Sequence, residues 1–376
     1  MSDRPDESRY VRQARVAAIG AEGQRRIEAG TAVIVGCGAL GTVAADLLVR
    51  AGVGRVVIAD RDIVELSNLH RQTLFDEADA LAGTPKAVAA AERLARVNRR
   101  VETVPRVMDV SADTIDGLLA AATLPGEPRV LVDATDNFAT RLLLNDAAVC
   151  WGWPLVYSGV VGTQATLMTV LAAWRGDEAG ESEAYARPWL DAGVSGPCLR
   201  CLMDEPPAAG AVPTCESAGV IGTVSATVAA MQATEAIKCL VGDWAAVERR
   251  LVRLDAWGNR TDRLDTAAAR DAGCRCCGQG RFDYLARSAR GTSVTMCGRG
   301  AVQVTPAAGL AVSLGELAEQ LGSHAPTRLG PGVLRAELPA DEPAEALTVF
   351  DDGRTLVHGT EDPAVARSLV ARYLGG

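Results

Sequence analysis

The alternation of apolar and polar positions sets the architecture before any chemistry is considered. Residues 31–35 (Thr-Ala-Val-Ile-Val) form a short β-rich run that enters Gly36-Cys37-Gly38-Ala39-Leu40-Gly41. A helix then places Leu40, Val43, Ala44, Leu47 and Leu48 on one face, and Gly52 supplies its stop. A second strand over 55–59 ends at Asp60, completing a βαβ unit. Helical spacing follows over 86–97, and 130–132 reads as a buried strand running into Asp133-Ala-Thr-Asp136-Asn137. Further strands are expected at 155–157 and 165–170 and a helix at 224–240, whereas 174–196 lacks a sustained period and reads as a long exposed loop. The pattern predicts an α/β fold, a Rossmann-like doubly wound sheet whose strands share one ligand crevice at their carboxyl ends.

After Cys277-Gly278 the elements become short. Ser313-x-x-Glu316 is a capping box opening a helix, 347–350 and 355–357 flank Asp-Asp-Gly as a hairpin, and Asp362-Pro363 opens a last helix. Two domains are expected: residues 1–279, and a small C-terminal α+β domain over 280–376 to which no chemistry is assigned.

Composition narrows the setting. A chain of 376 residues, 48% of them hydrophobic, is large enough for this pair of domains. The charged start (Asp3, Arg4, Asp6, Glu7) is no secretory signal, and the apolar run 32–49 is interrupted by three glycines and Asp46, so a cytoplasmic protein without a membrane span is expected. A net charge of −9 without a block of arginines argues against nucleic acid as a partner. Ten cysteines in a reducing compartment read as ligands, nucleophiles or buried thiols rather than disulfides.

The glycine loop carries the first chemistry. Gly36 permits a tight turn, Gly38 close approach of a phosphate and Gly41 close helix packing, while the helix N-terminus offers unpaired N–H groups to an anion. Asp60 is placed to accept from a ribose. These residues alone fit NAD as well as ATP, so a nicotinamide-dependent oxidoreductase stays open. Ser67-Asn68-Leu69-His70-Arg71-Gln72, Lys86 and Asp136-Asn137 turn the site toward ATP, because cations suit a triphosphate and a carboxylate suits Mg²⁺ held mainly through phosphates.

Cys198-Leu-Arg-Cys201 and Cys274-Arg-Cys-Cys277 supply four thiolates for a closed structural Zn²⁺ site. Spacing favours Cys274 and Cys277, with Cys276 as the alternative to either. Cys215, in Pro213-Thr-Cys-Glu-Ser-Ala-Gly219, is a candidate nucleophile or a loop thiol without chemistry.

Taken in order, Arg9-Tyr-Val-Arg12-Gln13, the glycine loop, Asp60-Arg-Asp62, Ser67 to Gln72, Pro85-Lys86, Thr135-Asp-Asn137 with Arg141, the first cysteine pair, Pro213-Thr-Cys215 and Gln232-Ala-Thr-Glu-Ala-Ile-Lys238 resemble the ThiF/MoeB/HesA (E1-like) family of sulfur-carrier adenylyltransferases over residues 8–278. The resemblance implies a homodimer that binds Mg-ATP and attaches AMP to the terminal glycine of a ubiquitin-like sulfur carrier ending in Gly-Gly. It implies that Gly36, Gly38, Ala39, Gly41, Asp60, Asp62, the stretch from Ser67 to Gln72, Lys86, Asn137 and Arg141 line the nucleotide. Asp136 would organise Mg²⁺, Arg12 would reach the neighbouring subunit's phosphates, and Cys215 occupies the family's cysteine position. Ala39 stands where the family often has glycine, and the 174–196 segment is longer than usual. Without a rhodanese-like segment after 278, sulfur is expected from a separate sulfurtransferase or desulfurase, for thiamine, molybdenum cofactor, tRNA thiolation or specialised metabolism. Adenylation of a peptide or small-molecule carboxylate is the alternative within this chemistry. The terminal Gly375-Gly376 resembles a carrier's end, but a helix expected almost to that point leaves no flexible tail.

Overall fold

A computed structural model describes residues 9–174, 187–208, 211–286, 293–296, 300–306, 312–322 and 325–374. Five parallel strands form one half of the first sheet: β1 (Thr31–Val35), β2 (Arg55–Asp60), β3 (Glu102–Val107), β4 (Arg129–Asp133) and β5 (Leu155–Val161). Antiparallel β6 (Gln164–Val170), β7 (Leu251–Asp255) and β8 (Arg260–Leu264) extend it in the order β3-β2-β1-β4-β5-β6-β7-β8. Every residue of β1 is buried, as required of a central strand covered on both faces. Ala32 and Ile34 pack on one side with the helices Gly41–Ala51, Lys86–Val97 and Gly222–Val241. Val33 and Val35 pack on the other with Ile115–Ala122 and Phe138–Trp151. The expected doubly wound sheet is thus present.

β1 neighbours both β2 and β4, in register through Val33 with Val57 and Leu131. The connections leave β1 and β4 toward opposite faces, which opens a crevice beyond their carboxyl ends. The strands that the apolar pattern does not announce are the outer ones. β3 carries Pro105 and exposed Glu102 and Arg106, which an edge strand tolerates, and β8 is exposed throughout.

The second sheet is antiparallel, with β9 (Ser293–Met296), β10 (Ala301–Val304), β11 (Thr327–Gly330), β12 (Val333–Glu337), β13 (Ala346–Phe350) and β14 (Thr355–His358) in the order β11-β12-β13-β14-β10-β9. The expected hairpin turns at Gly353 (φ 81°). Helices Leu314–Gly322 and Pro363–Leu374 cover one face through Leu317, Leu321, Ala366 and Leu369. The opposite face, with Ala301, Val333, Phe350 and Leu356, packs on Val107 of β3 and on Ile63 in the loop after β2. The chain as far as Leu285 packs with the first sheet, Tyr284 being buried there.

The capping-box serine accepts from the Glu316 N–H at 3.5 Å. Residues 175–186 of the expected loop and Gly375-Gly376 lie outside the described residues; within that loop region a short helix, Pro188–Asp191, is present. No helix among the described residues is long and apolar enough to cross a membrane.

Candidate active site and cysteine cluster

Backbone crowding explains the glycines. Gly36 has φ 93°, and a Cβ there would strike the Ala134 carbonyl at 2.5 Å. A Cβ on Gly41 would collide with the Gly36 carbonyl, whereas one on Gly38 meets nothing nearer than Gln72 Nε2 at 3.8 Å. The loop is therefore folded against β4 at Gly36 and open at Gly38, where a phosphate has room.

Asp60 is nine-tenths buried and faces inward. Its Oδ2 accepts the Cys37 N–H at 2.6 Å and its Oδ1 the Asp62 N–H at 2.7 Å, so the carboxylate braces the glycine loop. Burial raises its pKa although Lys86 draws it down. Asp62 accepts from Lys86 Nζ at 3.0 Å, and its own carbonyl accepts the Lys86 N–H at 2.9 Å. Arg61, between these two aspartates, donates to Asp109 at 3.2 Å. Burial disfavours its charge, but Asp109, Asp62, Asp136 and Asp60 together outweigh that and hold the guanidinium above its usual range.

The segment from Ser67 to Gln72 is a tight turn held by its own side chains. Asn68 is buried and its Oδ1 accepts the Glu65 N–H at 3.2 Å, Arg71 donates to the Ser67 carbonyl at 2.8 Å, and His70 Nδ1 lies 3.0 Å from that same carbonyl. Leu69 is half-buried and Gln72 buried beside Gly38, and a Cβ on Gly222 would meet the His70 carbonyl at 2.9 Å, so the turn sits at the start of a long helix. Across the crevice, Asp136 is exposed after β4. Asn137 caps the following helix by accepting the Thr140 N–H at 2.9 Å, and Arg141 donates to the Thr135 carbonyl at 3.0 Å while lying over Tyr157 and Phe138.

The crevice thus unites the glycine loop, Asp60, Asp62, Lys86 and Asp136, with Arg61 added. Arg12 stands apart, exposed on the short helix Val11–Ala14. That helix follows Tyr10, whose ring crowds Gly52 at the far end of the helix that begins in the glycine loop. Cys215 begins a four-residue helix and its thiol donates to the Val160 carbonyl at 2.8 Å.

The four cysteines chosen by spacing converge. Sγ of Cys198 lies 3.9 Å from that of Cys201 and 3.6 Å from that of Cys274, and Cys201 and Cys277 are 3.4 Å apart. Four sulfurs about 2.3 Å from a central ion stand about 3.8 Å apart in a tetrahedron, so the quartet can hold a metal. Cys276 is buried outside the quartet, with Asn145 Nδ2 3.5 Å from its sulfur.

Residues to which the motifs assign no role hold this cluster together. Asn145 accepts the Leu199 N–H at 2.8 Å. Arg200, buried between Cys198 and Cys201, donates to Asp146, Asp204, Asp283 and the Arg281 carbonyl and lies over the Tyr284 ring. The available signal was the Asn145-Asp146 pair interrupting the apolar run from Leu142 to Val149. Gln232 is similar: buried on a helix face of Val228, Ala229, Ala233 and Ala236, it donates to the Asp133 and Val156 carbonyls at 2.7 and 2.9 Å and ties β4 to β5.

Residues 10–276 match the ThiF family. The chain is 38% identical over 367 residues to the sulfur carrier protein ThiS adenylyltransferase of Bacillus subtilis, spanning 98% of this chain and 99% of that protein. It is 37% identical over 270 residues to the sulfur carrier protein adenylyltransferase of Thermus thermophilus, spanning 72% of this chain and 90% of that protein. Among solved structures, Escherichia coli MccB with ATP superposes with a TM-score of 0.53 at 20% identity, over 73% of this chain and 76% of that one, a likeness of fold.

Proposed function

The chain belongs to the ThiF family, and from that premise we propose that it activates the C-terminal glycine carboxylate of a ubiquitin-like sulfur carrier by adenylation. The observation that carries this reading is the full-length match to a ThiS adenylyltransferase, which takes in both sheets. A carboxylate oxygen of the carrier attacks the α-phosphorus of ATP, the bond to pyrophosphate breaks, and an acyl adenylate open to a sulfur nucleophile results.

The side chains fit that task. Gly38 and the helix N-terminus after Gly41 receive phosphate oxygens, and Lys86 and Arg71 offset the negative charge that grows as pyrophosphate leaves. Asp60 fixes the loop through Cys37 and, with an acceptor site left on each oxygen, can also accept from a ribose hydroxyl. Asn68, Asn137 and Arg141 shape the turns around the nucleotide. Exposed Asp136, with only carboxylate oxygen to offer, fits Mg²⁺, which when bound neutralises phosphate charge. Arg12 is exposed on a helix that follows Tyr10 beside Gly52, at the end of helix Gly41–Ala51 away from the glycine loop, which supports a homodimer with the arginine contributed in trans. The sulfur separations of the cysteine quartet support one Zn²⁺ with no open position, a brace and not a reaction centre. The two sheets support a large catalytic unit and a smaller one. Adenylation needs no thiol, so Cys215 is reserved for the later transfer.

The test is exchange of labelled pyrophosphate into ATP. Exchange that requires a carrier ending in Gly-Gly, and fails with small carboxylates in its place, is expected. Exchange supported by small carboxylates, or absent with every such carrier from the same cell, would overturn the reading.

A further inference from the structure

Two buried polar side chains of the small unit reach the carboxyl end of β3, Arg354 by donating to the Val107 carbonyl at 3.5 Å and Gln303 by donating to Asp109 just beyond it. Gln303 on β10 is 1% exposed, and its Nε2 donates to Asp109 Oδ2 at 3.0 Å and to Thr305 at 3.2 Å. The other oxygen of Asp109 accepts from Arg61 at 3.2 Å. Arg61 in turn has its Nε 4.0 Å from Asp62, the carboxylate that holds Lys86 at 3.0 Å. One aspartate is therefore shared between a side chain of the small unit and the arginine beside the nucleotide lysine. Ile63, Val107, Val333, Phe350 and Leu356 pack as an apolar cluster beside it, which lowers the local dielectric and strengthens each link.

We propose that Gln303 is a positioning residue for nucleotide binding: it fixes Asp109, Asp109 draws Arg61 away from Asp62, and Asp62 is thereby left to orient Lys86. The small unit so acquires a role in the large unit's site, a proposal that rests on the adenylation reading above. Without the Gln303 bond the Asp109 carboxylate turns, Arg61 closes the remaining gap to Asp62, and Lys86 loses its fixed partner. ATP affinity falls while the groups that meet the carrier carboxylate are untouched. Because Lys86 also offsets the charge that grows as pyrophosphate leaves, kcat falls together with ATP affinity.

The experiment uses full-length Gln303→Leu, with KM for ATP and kcat from exchange and, independently of any carrier, affinity for a fluorescent ATP analogue. KM and the analogue's dissociation constant should rise on the order of fivefold, as for loss of one hydrogen bond to a charged group felt in part at a distance. Asp109→Ala should give the same rise, and the double variant no more than either single. Arg328→Ala, which removes the bond to the Leu81 carbonyl elsewhere on the same interface, should change neither constant. Should the leucine variant fail to fold, the nearly isosteric Gln303→Glu sets a second carboxylate against Asp109. It should weaken ATP binding at neutral pH, because a carboxylate cannot donate to Asp109 as the Gln303 amide does. Unchanged nucleotide affinity in a folded Gln303 variant, additive effects in the double variant, or an equal loss in Arg328→Ala would each overturn the proposal. Absence of exchange in the parent protein with intact analogue binding would instead count against the adenylation reading alone.

Discussion

The crevice and the cysteine cluster use buried charge in opposite ways. In the crevice a buried pair, Asp62 with Lys86, sits beside half-exposed Arg61 and Arg71 and exposed Asp136. At the cluster, Asn145, Asp146 and Arg200 are all sealed in and bond to one another's neighbours. The crevice, proposed to bind and release a highly charged nucleotide, keeps charge at its mouth, whereas the cluster, proposed as a brace, turns its polar groups inward. The four sulfurs lie within reach of one metal ion, with Cys198 and Cys274 buried and Cys201 and Cys277 half-buried.

This contrast can be broken most forcefully at the cluster. Cys198→Ala should lose the metal, for which elemental analysis of the parent is expected to give one zinc per chain, and with it much of the cooperative thermal transition. The scale is set by structural zinc, whose binding contributes about 10 kcal/mol or more to folding. A variant that loses zinc yet melts like the parent would show that the cluster braces nothing.

Next in size, Arg200→Leu leaves Asp146 buried without its cation. A broken buried pair costs about 3–5 kcal/mol, read as a lowered urea midpoint. Ordinary stability would place Arg200 among solvated charges.

The smallest effect sharpens the crevice side. Burial raises the pKa of Asp133, although Arg141 and Thr135 draw it down. The folded state then favours the protonated form, and stability is present below the ordinary aspartate range and lost as pH rises through the raised value. Asp133→Asn cannot ionise, so it should gain on the parent as pH goes from acid to neutral in urea melts. Parallel pH profiles for the two proteins would contradict this.

Local signals were legible and non-local ones were not, for a physical reason. The run into Gly36, the helix to Gly52 and the Asp362-Pro363 start are written in neighbouring residues, and each is found where the chain pattern puts it. The convergence of Cys198, Cys201, Cys274 and Cys277 followed from spacing, because metal geometry restricts it. Spacing does not reveal that Asp60 spends both oxygens on backbone N–H groups or that Asn137 is a helix cap, since those bonds depend on where the chain turns. Arg200 resembles any other arginine until Asp146, 54 positions earlier, is folded against it. The role of Gln303 was equally hidden, its partner lying 194 residues away in the loop that follows β3.

The central claim is that nucleotide chemistry belongs to the crevice and stability to the cluster. Its most direct test is Asp136→Ala, assayed for carrier-dependent pyrophosphate exchange, zinc content and melting on one preparation. Exchange reduced by about a hundredfold or more, with zinc and melting unchanged, is the predicted result. Exchange at the parent rate would contradict it.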